Sequence, residues 1–123
     1  MTDNELIAVA NALVGEFVPS KNVSAGDVAA ALITDSGHVY TGICVDTGCS
    51  MGFCAEHAAI AEMLKARESI IRTIVAVLEG SRVIAPCGRC RELIWQVNPE
   101  NAGTRVLMGN GKIVTLADLL PNR

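Results

Sequence analysis

The sequence predicts an α/β domain, on three observations. Apolar residues recur at helical spacing near the start, short apolar segments of strand length alternate with longer helix-forming ones through the middle, and two final strand-like segments flank a three-residue loop. Leu6, Val9, Ala10, Leu13 and Phe17 define an amphipathic helix over residues 3–17, which Gly15 and Pro19 end. Residues 27–34 are short and apolar, Asp35-Ser36-Gly37 is a turn, and residues 38–44 are again strand-like, so the pair reads as a hairpin. A loop with Gly48, Ser50 and Gly52 leads to residues 54–67, where Ala58, Ile60, Ala61, Met63 and Leu64 sit among strong helix formers. Residues 72–78 have the composition of a buried strand, and residues 87–97 form a helix closed by Asn98-Pro99. Residues 104–108 and 112–115 are joined only by Gly109-Asn110-Gly111, which suits a hairpin and is far too short for a parallel crossover. The last two strands are therefore expected to be antiparallel, with a short terminal helix over residues 116–120.

Size and charge narrow the function. A chain of 123 residues, half of them apolar, suffices for one hydrophobic core and not for two, so residues 1–123 are expected to be a single domain. The net charge of −3 and ten scattered Lys and Arg leave no footprint for a phosphate backbone. One Trp, one Tyr and two Phe offer little stacking surface, which also disfavours nucleic acid as a partner. The first residues lack the basic start and apolar run of a signal peptide, and no apolar stretch approaches membrane-spanning length. A cytoplasmic protein is expected. Five cysteines, an odd number, then read as metal ligands and buried thiols rather than a disulfide framework.

Cys54-Ala55-Glu56 and Pro86-Cys87-Gly88-Arg89-Cys90 carry the chemistry. Three thiolates, Cys54, Cys87 and Cys90, would hold a tetrahedral Zn²⁺ and leave its fourth position open for water, as catalytic zinc sites do. Zinc lowers the pKa of such a water toward neutrality. Glu56, one residue removed from a ligand, can then carry protons without competing for the metal. Both cysteine segments open a helix, where free N–H groups and the helix dipole favour thiolates. The spacing is the zinc deaminase signature, His/Cys-x-Glu with Pro-Cys-x-x-Cys. Rival readings are a thioredoxin-like redox pair at Cys87 and Cys90, and a structural zinc with a fourth ligand from Cys44, Cys49 or His57. For Glu56 the rival is an ordinary acid favoured by the helix dipole.

These motifs, together with Tyr40-Thr41-Gly42 and Leu119-Leu120-Pro121, resemble the cytidine deaminase superfamily, in the three-cysteine homotetrameric group that includes blasticidin-S deaminase. The resemblance spans about Val28 to Pro121. It implies a three-layer αβα sandwich around a five-stranded mixed sheet, a zinc cofactor, a small nucleoside-like substrate and a homotetramer. Gly88-Arg89 between the cysteines is more similar to blasticidin-S deaminase than to ordinary cytidine deaminases. The family binds ribose and base with an Asn and a Glu ahead of the zinc helix. Counted back from Cys54 without gaps, those positions fall on Ile43 and Val45, whose side chains neither donate nor accept. Asp46 is the nearest replacement. Gly26 stands where the family pocket has an aromatic or hydroxyl residue, with Ser24 close by, and by resemblance the backbone of Ala55 meets the exocyclic amine.

The remaining polar residues are placed by geometry. His57 follows Glu56 by one residue, about a hundred degrees round the helix, and is expected to point away from the metal and pack elsewhere. Arg89, between two ligands, is expected to hydrogen-bond a thiolate sulfur and offset the negative charge of a three-thiolate zinc site. Cys44 and Cys49 are expected as buried small residues, with Cys49 near the pocket, and His38 as exposed beside the turn. Trp95 is expected in the core or an interface. A zinc-dependent hydrolytic deaminase of a cytosine-type nucleoside is the leading reading. Its rivals are a deaminase of blasticidin S or another aminated heterocycle, and a non-catalytic zinc-stabilised oligomeric domain.

Overall fold

Thr2 sets the start of the first helix: its hydroxyl accepts from the Glu5 N–H while the Glu5 carboxylate accepts from the Thr2 N–H. The computed structural model, which describes residues 1–123, accordingly begins with helix α1 at Asp3–Asn11. Strands β1 (Phe17–Ser20), β2 (Val23–Thr34) and β3 (Val39–Thr47) follow, then helix α2 (Ala55–Lys65) and strands β4 (Ile71–Leu78) and β5 (Arg82–Ile84). Helix α3 (Gly88–Val97), β6 (Arg105–Leu107), β7 (Ile113–Thr115) and a closing 3₁₀ turn (Leu116–Leu119) complete the chain. No helix is long and apolar enough to cross a membrane.

All seven strands join one mixed sheet. β3, β2, β4, β6 and β7 lie side by side; β2 is antiparallel to β3 and β4, β4 is parallel to β6, and β6 is antiparallel to β7. The five-stranded expectation undercounts, because short β1 and β5 also pair. β1 pairs with the start of β2, ahead of β4, and β5 with the end of β4, beyond β6, so each extends an existing strand position. The final hairpin is antiparallel, as its short loop requires.

Alternation along the strands builds two separate cores. Ala30, Leu32, Ile74, Ala76 and Val106 face α2 and α3, packing with Ala59, Ile60, Met63 and Ile94. Their neighbours Ala31, Ile33, Val75, Val77 and Leu107 face the other way, onto Leu6 and Ala10 of α1. The result is three layers, α1, sheet, and α2 with α3. Arg105 of β6 holds α1 in place through two 2.8 Å hydrogen bonds to the Asp3 carboxylate. Buried Asn101 ties α3 to β4: it accepts from Ile71 N–H and donates to the carbonyls of Ser69 and Ile94.

The first helix is shorter than its apolar period suggests. It ends at Asn11, and Phe17, expected on its inner face, lies instead in β1 opposite Ala25 and is 53 % exposed. Sheet pairing, anchored by the Gly15 N–H to Gly26 carbonyl bond of 2.8 Å, wins over local periodicity there. His38 is exposed, as expected, with its ring Nδ1 2.8 Å from Glu68. Trp95 packs against the larger core, and the Arg123 guanidinium lies 3.7 Å above its ring.

One glycine sets how closely α2 lies on the sheet. A Cβ at Gly42 of β3 would sit 2.5 Å from both the Ala58 Cβ and the Ala59 backbone nitrogen and 2.6 Å from the Ala55 carbonyl oxygen. Those are largely backbone atoms, so no side-chain rotation relieves the overlap. We expect Gly42→Ala to cost about 1–3 kcal/mol of stability, the range for overpacking a core. Chemical denaturation against the wild-type protein measures it, and an unchanged midpoint would mean that α2 shifts freely over β3.

Candidate metal centre

Cys54 and Cys87 each occupy the residue immediately before a helix, α2 and α3, in extended backbone geometry (φ −74°, ψ 157° and φ −69°, ψ 168°). Neither side chain caps its helix, which leaves both sulfurs free to turn toward each other. Cys90, one turn into α3, is fully buried beneath them. The Cys54 and Cys87 sulfurs are 3.5 Å apart, and those of Cys87 and Cys90 are 3.4 Å apart. All three lie within 4.8 Å of one another. These separations are too long for a disulfide, at roughly 2.05 Å. They approach the roughly 3.8 Å between sulfurs bound at about 2.3 Å to one tetrahedral zinc, so this donor set fits Zn²⁺ and could hold it. The loop ahead of Cys87 is fixed by Arg91, whose Nε donates to the Pro86 carbonyl at 2.8 Å.

The thiols differ in how readily they ionise. Burial drives Cys90 far up, with the neighbouring Glu56 carboxylate and thiols adding to it, and burial also raises Cys54. Burial works against Cys87 too but is outweighed by the Cys90 N–H, the other two thiols and the Arg89 N–H, so Cys87 is lowered. Crowded sulfurs of this kind ionise together only when a cation balances them. Glu56, in the first turn of α2, is 4 % exposed, and burial raises its carboxyl above the usual range against the opposing effect of its own N–H and the Cys90 thiol.

Two expectations about the surroundings change. His57 does not point away: its Nδ1 is 3.3 Å from the Cys90 sulfur. It lies three positions after Cys54, close to one helical turn, so it shares that residue's side of α2. Arg89 is exposed and lines the same cavity, but its side chain makes no hydrogen bond to any of the three sulfurs, so the thiol contact expected of Arg89 falls to His57. The spacing of Cys54 and His57 was the available signal.

Beside the thiols lies a cavity of about 450 Å³, whose walls include Cys54, Ala55, Glu56, Cys87 and Arg89. Asp46 lines it, and exposed Cys49 stands at its edge. Ser24 does not, although it pairs with Asp46 across β2 and β3; the register shift between Ala25 and Ala29 brings Asp27 into the wall in its place. Counting back without gaps also missed Cys44. Of the two positions reached by that count, Val45 lines the cavity and Ile43 does not, and Cys44 lines it beside Val45, Asp46 and Thr47. Cys44 is buried, donates its thiol proton to the Asp27 carboxylate at 2.7 Å and accepts from the Val28 N–H at 3.4 Å.

Comparison with known proteins agrees with this geometry. The family described as the cytidine and deoxycytidylate deaminase zinc-binding region matches residues 2–104. A cytidine deaminase from Halalkalibacterium halodurans is 32 % identical over 113 residues, covering 87 % of this chain and 81 % of that protein. A blasticidin-S deaminase from Bacillus cereus is 33 % identical over 106 residues, covering 76 % and 74 %. The crystal structure of cytidine deaminase from Mycobacterium leprae superposes with a TM-score of 0.81 at 25 % identity, covering 99 % of each chain.

Proposed function

Because the chain belongs to the cytidine and deoxycytidylate deaminase family, we propose that residues 1–123 form one zinc domain that hydrolytically deaminates a cytosine-type nucleoside or a close analogue. The chain is a zinc-dependent deaminase enzyme. One observation carries the assignment of roles: three thiols converge, and two of them, Cys54 and Cys87, border one cavity together with the buried carboxylate of Glu56, while Cys90 is buried behind them. Cys54, Cys87 and Cys90 hold the metal. Zinc at this position supplies Lewis-acid activation of water.

Glu56 manages the protons. It accepts one from the attacking water as the oxygen bonds to C4, and delivers it to the ring nitrogen N3. It then passes the second water proton to the amino group, the C4–N bond breaks, and ammonia leaves a keto product. Burial favours this role by keeping the carboxyl's proton affinity high. His57 beside Cys90 fixes the position of the innermost sulfur.

Ammonia release over a panel of cytidine, deoxycytidine, cytosine, blasticidin S and aminopurines tests the reading. We expect turnover with a cytosine nucleoside or analogue. No ammonia from any member, with zinc bound, would leave a non-catalytic zinc-stabilised domain as the function. The relative from B. cereus and Arg89 between the cysteines support blasticidin S as the second candidate substrate.

We also propose a homotetramer in the cytoplasm, where reduced thiols persist. Phe17, Val18 and Ile113 are exposed apolar residues on strands, and Met51 and Phe53 are exposed in the loop ahead of α2. Phe53 also borders the cavity, so a neighbouring chain there would complete its rim. Light scattering is expected to give about four times the 12.9 kDa chain mass. A fully active monomer would contradict a shared rim.

A further inference from the structure

We propose that a second cavity, on the sheet face opposite the metal centre, binds a phosphate monoester of a small organic molecule, of the size of a nucleoside 5′-monophosphate. The proposal goes beyond the deaminase reading and does not depend on it.

Helix α1, strand β5 and the turn between β6 and β7 enclose about 630 Å³, more than the 450 Å³ beside the thiols and well within the range of small-molecule sites. Ile7, Val83 and Leu107 form its apolar floor and belong to the core under α1, which places the cavity on that face of the sheet.

The two cavities have opposite charge. Beside the thiols, Asp27, Asp46 and Glu56 stand against Arg89. Here Arg82 of β5 and Lys112, just ahead of β7, stand against Asp3 alone, and Asp3 is already neutralised by its two 2.8 Å hydrogen bonds from Arg105. No carboxylate pairs with Arg82 or Lys112. The turn that leads into Lys112 adds donors, because the backbone N–H groups of Gly109, Asn110 and Gly111 have no acceptor within the chain. Asn110 (φ 62°) and Gly111 (φ 72°) are both left-handed, and successive free N–H groups in such a turn form a concavity that suits an anion.

Backbone strain collects at the same place. Four residues other than glycine have left-handed backbone, and two of them, Ser81 and Asn110, line this cavity from opposite turns. Asn tolerates that conformation; Ser adopts it far less readily. Ser81 is held there by its N–H, which donates to the Asn11 side chain at the end of α1 at 3.0 Å, so the adjoining Arg82 is positioned before any ligand arrives. Strained backbone of this kind clusters at ligand clamps.

These groups select the ligand's chemistry. A phosphate monoester carries close to two negative charges at neutral pH, which matches two cations, and its oxygens accept the arginine fork in bidentate fashion. A carboxylate brings one charge. A bare phosphate leaves the apolar floor and most of the volume unfilled, so the phosphate is expected to come with an organic body. Strand β5 walls both cavities, Arg82 and Val83 here and Ile84 beside the thiols, so the test has to tell the two sites apart.

The zinc-loaded protein is titrated calorimetrically at low ionic strength with adenosine 5′-monophosphate, adenosine and inorganic phosphate, each with and without saturating uridine to fill the metal-centre cavity. Ile113 also lines the second cavity, so the assembled protein is used, with any subunit contact at that residue in place. The monophosphate should bind at about one per chain, at least tenfold more tightly than adenosine or inorganic phosphate, and uridine should not displace it. Arg82→Gln and Lys112→Gln should each weaken it about tenfold, the scale of a lost hydrogen bond to a charged group. Both side chains are exposed, so these variants should keep the wild-type unfolding midpoint, and Lys21→Gln, away from the cavity, should bind as the wild type does. Four results would each overturn the site: no binding of the monophosphate below about 1 mM, equal binding of inorganic phosphate, displacement by uridine, or affinity that survives both cavity substitutions.

Discussion

Glu56→Gln is expected to reduce deamination by at least about 10²–10⁴-fold, the usual contribution of a positioned general acid–base, and to background if both proton transfers depend on it. The substitution keeps shape and removes only the ability to take up and release a proton. Structural damage is not expected, because Glu56 holds no helix cap and its burial penalises the charged form. Zinc content should stay near one per chain, and the unfolding midpoint should not fall. Parallel measurement of ammonia release, metal content and thermal unfolding separates the outcomes. Near-wild-type turnover in the variant would show that the proton carrier lies elsewhere.

Cys87→Ala should act in the opposite order, on the metal first. Of the three clustered thiols Cys87 is the one whose pKa is lowered, and its sulfur lies 3.4–3.5 Å from both other sulfurs. Without it two donors remain, below the three that catalytic zinc sites retain. Metal analysis is expected to fall from about one zinc per chain to near zero, with activity lost in proportion. Because Cys87 is exposed, no core packing is removed, and a folded, metal-poor protein is the expected product. Full zinc occupancy in Cys87→Ala would remove this thiol from the ligand set.

How much of this was legible depended on whether the signal was local. That the three thiols converge near Glu56 could be read because each cysteine segment opens its own helix, and a helix start is encoded within a few residues. The final hairpin was equally plain from its short loop. Asp27 and Cys44 were not, since Asp27 reaches the cavity only through a register shift in β2, and pairing irregularities leave no short-range trace. The end of α1 at Asn11 failed for the same reason: β1 pairs with β2, and that long-range partner outweighed the helical period that includes Phe17. His57 was misplaced for a different reason. Its angle was measured from Glu56 and not from Cys54, and the latter comparison puts it beside the sulfurs.

The uncapped starts of α2 and α3 have a consequence for how this protein is made. Ser, Thr, Asp or Asn before a helix stabilises it by about 0.5–2 kcal/mol, and the chain places such groups at Thr2 and Thr115 but sulfur at Cys54 and Cys87. A newly synthesised chain therefore reaches its fold with the two functional helices the least secured at their leading ends. Metal loading then completes maturation as well as activity: it ties together the two helix starts that the polypeptide leaves loose, and a chain deprived of zinc during synthesis would be most open to proteolysis at those two junctions.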